Sequence, residues 1–140
     1  MQDRPHVRAL LADRDPKNEL SGFAANTRDV MSRTAPLYRI LVSAAGSDPE
    51  ANALLAEQTR QRQEGQALIA RSLARGGALR PKLRERDAAD IIHALLSPEV
   101  YQLLVTERGW TLERYEQWLR GILIDQLLFL SSARGARSDS

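Results

Sequence analysis

Apolar residues recur along the chain at the three- and four-residue spacing of amphipathic helices, and no window alternates apolar with polar residues long enough to make a strand. The pattern predicts an all-α chain of about six helices. A short first helix falls from about Arg4 to Ala12 on Val7, Leu10 and Leu11. Asp15 followed by Pro16 is an N-cap and first-turn pair, opening a second helix whose stripe of Leu20, Phe23, Ala24, Thr27, Val30 and Met31 reaches about Arg33. Thr34 is read as the cap of a third, with Pro36 in its first turn and Leu37, Tyr38, Ile40, Leu41 and Ala44 as its apolar side up to Gly46. Ser47 or Asp48 before Pro49 starts the fourth and longest helix, which ends near Arg75 at Gly76 and Gly77. Asp87 is expected to cap a fifth, kinked at Pro98, and Gly109 with Trp110 closes it. Thr111 starts the last, which runs through Tyr115, Leu119 and Ile122 into Leu130. The Ser, Arg, Gly, Ala and Asp tail from Ser131 to Ser140 is expected to fray, leaving residues 1–130 as one domain.

Two of these helices carry more apolar surface than one face needs. At about 100° per residue the fifth presents Ala88, Ala89, Ile92, Leu96, Val100, Leu103 and Leu104 as one stripe roughly 160° wide, yet Ile91, Ala94, Leu95, Tyr101 and Val105 fall outside it. On the last helix Trp118, Ile122, Tyr115, Leu119, Leu123, Leu127 and their neighbours span about half the circumference. The surplus is explained if two helices from each of two copies form a homodimeric four-helix bundle, with Ile91, Leu95, Tyr101, Trp118, Ile122, Leu123 and Leu127 at the interface. The other explanation is that both helices lie at the centre of a monomer core.

The long fourth helix has the opposite irregularity. Ala51, Leu54 and Leu55 open its stripe and Leu68, Ile69 and Leu73 close it, but Gln58, Arg62 and Gly65 stand on the same face between them. Either these polar residues line a cavity or their ends snorkel to solvent, and Gly65 marks close helix packing or room for a ligand.

Composition narrows the chemistry. A chain of 140 residues, 43% apolar and 27% charged, has the makeup of a single folded domain. With no cysteine and two histidines, thiol, disulfide and transition-metal chemistry lack their usual groups, and neither a metal nor a cofactor is expected. The 20 basic residues are interleaved with 18 acidic ones for a formal charge of +2, which is a mixed surface rather than a nucleic-acid footprint. No apolar run approaches the roughly 18 residues of a membrane span, and no signal-like segment opens the chain, so a cytoplasmic protein without a membrane partner is expected. Gly-rich phosphate loops, nucleophile elbows and His-Glu-x-x-His are all missing, which argues against an enzyme and leaves no catalytic residue to name.

The stretch from Arg86 to Leu128 resembles the last two helices of TetR-family transcriptional regulators. The resemblance is carried by Ala88-Ala-Asp-Ile-Ile-His-Ala-Leu-Leu-Ser-Pro-Glu-Val-Tyr101, by the turn Glu107-Arg-Gly-Trp110, and by the aromatic start Arg114-Tyr-Glu-Gln-Trp-Leu119. Upstream, Thr34-Ala-Pro-Leu-Tyr38, Ala44-Ala-Gly-Ser-Asp-Pro49 and Gly77-Ala-Leu-Arg-Pro81 follow in the order of that family. It implies a ligand-sensing and dimerising regulatory domain that controls DNA binding by a helix-turn-helix unit. Nothing before Asp15 is long enough to be that unit, so DNA is expected to be a partner only through a domain outside this sequence. The resemblance also implies an effector site among the middle helices. There the inward apolar residues Phe23, Met31, Tyr38, Ile92 and Leu96 and the polar Thr27, Gln58, Arg62 and His93 are the candidates for a small, largely apolar molecule. For the apolar residues simple core is the alternative, for Thr27 a bond back to its own helix, and for His93 a structural contact. A ligand-free helical dimerisation or interaction module is the competing function.

Overall fold

The computed structural model describes residues 15–129. The expected helix at 4–12 and the tail at 131–140 lie outside them. Helix α1 spans Pro16–Ala44, 29 residues, and α2 spans Pro49–Arg75, 27 residues. Helix α3 is Glu85–Leu95, α4 is the single turn Pro98–Tyr101 continued by a π-helical segment Gln102–Glu107, and α5 is Leu112–Leu127. Among the described residues the chain is all-α, without a sheet. No described helix is long and apolar enough to cross a membrane.

The helix starts are local chemistry. Asp15 accepts from the Lys17 amide at 3.1 Å, Asp48 from Glu50 at 3.0 Å and Thr111 from Arg114 at 3.0 Å, each satisfying a donor that the first helical turn leaves free. Gly77 and Gly109 take the left-handed conformations, φ 68° and 73°, that turn the chain away after α2 and after the π-helical segment.

Four expectations need correction. The second and third expected helices are one, because the Thr34 hydroxyl donates back to the Val30 carbonyl at 2.8 Å instead of capping a new start. Pro36 therefore sits inside α1 at an exposed position, where its fixed φ suits the helix but it has no N–H to offer the Ser32 carbonyl one turn back. The kink expected at Pro98 is a break. Ser97 accepts from the Val100 amide at 3.2 Å, so it caps a new helical turn with Pro98 in the first position. Helix α3 begins two residues before the expected cap. Arg84 holds the cap position without a side-chain bond, and Asp87 lies in the first turn, where its charge faces the positive helix end. Finally, α5 stops at Leu127 because Leu128 turns extended to form an antiparallel bridge with Leu79. Arg80 N–H donates to the Leu127 carbonyl and Phe129 N–H to that of Ala78, both at 2.8 Å, fastening the end of α5 to the loop after α2.

Helix α1 packs on α5 and α2, and α2 packs on α3. Along α5 the i, i+4 series Tyr115, Leu119, Leu123 and Leu127 is fully buried, facing a core of Leu20, Ile69, Leu73 and Ile92. The Tyr115 ring meets Tyr101 edge to face at 5.1 Å between centroids. This core overturns part of the expected interface. Leu123 and Leu127 are 0% exposed and Tyr101 6%, so they lie inside the chain's own core and offer a partner no surface. A helical stripe states how much apolar surface needs cover, but not which chain covers it. Ile91, Leu95, Trp118 and Ile122 flank the same core and stay half-buried.

Candidate functional site

The core thins along the α1–α2 hairpin. No residue of α1 is buried between Met31 and Leu41, and none of α2 between Ala51 and Gln66. Where the two helices stop sharing buried side chains they leave a cleft of about 290 Å³. Val30, Met31, Thr34, Ala35 and Tyr38 of α1 line one wall, Gln58, Gln61 and Arg62 of α2 the other, and Pro98 of α4 closes an end. A smaller hollow of about 60 Å³ shares Val30, Met31, Gln61 and Arg62 with it and reaches toward the core past Phe23, Thr27, Gln66 and Leu96. The interrupted stripe on α2 is thus the sequence counterpart of the cleft. Long polar side chains stand where leucines would have zipped the hairpin shut.

Arg62 is the charged group among the four residues both spaces share. Its side chain is half-buried, and its Nε is fully buried with no hydrogen-bond partner among the described residues. Its one side-chain hydrogen bond is long, from Nη2 to the Thr59 hydroxyl at 3.4 Å, and its guanidinium lies 5.9 Å from the centre of the Tyr38 ring. Among the described residues no carboxylate comes within ion-pair distance of it. Burial pushes the Arg62 pKa down, against the opposing influence of Tyr38 and Glu99. The Tyr38 hydroxyl donates to Glu99 Oε2 at 2.7 Å, tying α1 to α4 beside the cleft. Burial together with that hydrogen bond and the Glu99 charge pushes the Tyr38 hydroxyl up to about 12, only partly offset by Arg62.

Of the residues singled out from the sequence, Met31, Tyr38, Gln58 and Arg62 line the cleft, and Phe23, Thr27 and Leu96 line the hollow beside it. Ile92 and His93 do not. Ile92 is fully buried in the core and lines neither space, and His93 is exposed, with Nδ1 3.1 Å from Gln66 Oε1. His93 thus has the structural contact, and buried Gln66 takes the place near the cleft. Gln66 was visible in principle, since Gln58, Arg62 and Gln66 are spaced i, i+4, i+8 along one ridge. Pro98 and Glu99 carried no such signal, because they arrive from α4 through the tertiary fold. A Cβ added at Gly65 would meet no atom within 4 Å, so close helix packing is not the reason for that glycine. No group of three or more His, Asp or Glu residues among the described ones is arranged to hold a metal ion.

No family model, curated protein or solved structure matches the chain.

Proposed function

We propose that this chain is the ligand-sensing and dimerising regulatory domain of a TetR-type transcriptional regulator. The observation that carries the reading is the cleft itself, a mostly apolar hollow in mid-hairpin with a few polar tips turned into it, as small-molecule sites have. Its position supports a regulatory role. Helix α1, about 43 Å long at ~1.5 Å per residue, lines the cleft with one part and holds α5 with another. Ser21 accepts from Arg120 at 2.7 Å and Arg28 pairs with Glu116 at 3.1 Å. Pro36 stands beside the cleft, where α1 lacks a backbone hydrogen bond and bends most easily. A molecule entering between α1 and α2 would shift α1 at that point and move α5 with it. In this reading α5 and α3 meet a second copy through Ile91, Leu95, Trp118 and Ile122, and DNA contact belongs to a helix-turn-helix unit coupled to α1.

Melting the chain against a panel of small organic acids, amides and alcohols tests the reading. A compound that binds only the folded state raises the melting temperature with concentration as RT ln(1 + [L]/Kd). A panel with no stabilising member at millimolar concentration would leave the second reading, a ligand-free interaction module. That reading is favoured by Leu37, Ile40 and Leu103, which are 47%, 63% and 52% exposed. Light scattering after size exclusion bears on both, since each expects a dimer that Leu95→Asp dissociates.

A further inference from the structure

We propose that the cleft binds a small carboxylic acid, its carboxylate held by Arg62 and its hydrocarbon body lying on Val30, Met31 and Ala35. This rests on the reading of the cleft as a ligand site and names the class of ligand.

Charge comes first. Among the described residues the cleft is lined by two arginines, Arg33 and Arg62, and by no acidic residue, and the adjoining hollow has no acidic lining either. The nearby carboxylate of Glu99 is engaged by the Tyr38 hydroxyl at 2.7 Å, and it makes no ion pair with Arg62. Donor accounting points the same way. A guanidinium carries five N–H donors in a planar fork, and here its buried Nε has no partner while the other end makes one bond of 3.4 Å. A neutral ligand with a single acceptor satisfies one of these donors. A carboxylate accepts two parallel N–H bonds from the fork and supplies the missing charge. The apolar wall then separates an organic acid from a bare inorganic anion, which would gain nothing from Val30, Met31 and Ala35. The volume of about 290 Å³ lies just below the ~300–1,000 Å³ of ligand pockets, which suits a medium-chain or single-ring acid.

The test is calorimetric titration of the full chain with octanoate and with octanamide, which share a hydrocarbon tail and differ in the charge of the head. Charge-assisted bonds to the fork make octanoate the tighter ligand by about ten-fold or more. In Arg62→Met, which keeps the bulk and removes the charge, octanamide still binds and the preference falls to within about two-fold. Arg62→Gln serves as the second variant if circular dichroism shows that Arg62→Met is unfolded. Equal binding of acid and amide to the unmodified chain overturns the carboxylate proposal and leaves the ligand site standing. So does a preference that persists without Arg62, since the charge would then be read elsewhere. Failure of both compounds to bind overturns the proposal together with the reading of the cleft.

Discussion

Replacing Arg62 by Met should make the ligand-free protein more stable, although it removes one of the larger side chains of the hairpin. The buried Nε has no partner among the described residues, and a buried donor left unsatisfied costs about 1–3 kcal/mol. Against this stand two weak contacts. The bond to Thr59 at 3.4 Å is near the limit of a hydrogen bond and contributes about 0.5 kcal/mol, and the guanidinium 5.9 Å from the Tyr38 ring centre contributes about as much. Met fills a similar space with flexible apolar atoms. The balance favours the variant by about 1 kcal/mol, at the lower end because the side chain is only partly buried. For a chain of this size that is a rise in melting temperature of about 3–5 °C. Urea unfolding followed by circular dichroism measures it, with an unchanged m-value to show that the folded and unfolded states are otherwise alike. A loss of more than about 1 kcal/mol would refute the reasoning. Arg62 would then be a satisfied structural residue, and the case for an anion at its fork would lose its premise. A gain would fit a residue kept at some cost to stability for what it binds.

Three further outcomes follow from the same geometry. Leu73→Ala in the core, where Leu73 is 1% exposed, should cost about 2–5 kcal/mol, whereas Leu54→Ala, at 56% exposure, should stay within about 0.5 kcal/mol; urea midpoints decide both. Gly65→Ala should stabilise α2 by about 0.5–1 kcal/mol, because the added methyl meets open space and the helix gains propensity; a loss of stability would mean that the position is crowded. Ultraviolet titration of the chain's three tyrosines should show little phenolate at pH 10, because burial raises Tyr101 and Tyr115 and pushes Tyr38 up to about 12. A folded-state pKa above the ordinary 10.0 means that the native state holds the proton more tightly. The Tyr38 contribution to stability is therefore whole below about pH 10 and lost as the pH rises toward 12, and Tyr38→Phe should lessen that alkaline loss.

What the sequence discloses is what nearby residues decide. Asp15, Asp48 and Thr111 cap helices because a short side chain reaches an amide two or three residues on, and no distant residue is needed to complete the bond. Thr34 and Ser97 show the limit of that rule. Their hydroxyls can serve the preceding carbonyl or a following amide, and Thr34 makes the first choice and Ser97 the second. The stripe of α5 is legible as a stripe, but that Leu123 and Leu127 spend their surface inside the chain follows only once α5 is seated on α1. The cleft is half legible. Gln58 and Arg62 interrupt an apolar face and so announce a gap in the packing, while Pro98 reaches the cleft and Glu99 reaches Tyr38 through the break after α3, which local pattern read as a kink.

The central claim is that the gap between α1 and α2 is a binding site. Its most direct test is an amide NMR titration of the chain with octanoate. The account expects concentration-dependent shifts centred on Met31, Tyr38, Gln58 and Arg62, with smaller ones passing along α1 to its contact with α5 near Arg28 and Glu116. An unchanged spectrum at millimolar octanoate, or shifts confined to the far side of α3 and α5, would contradict it.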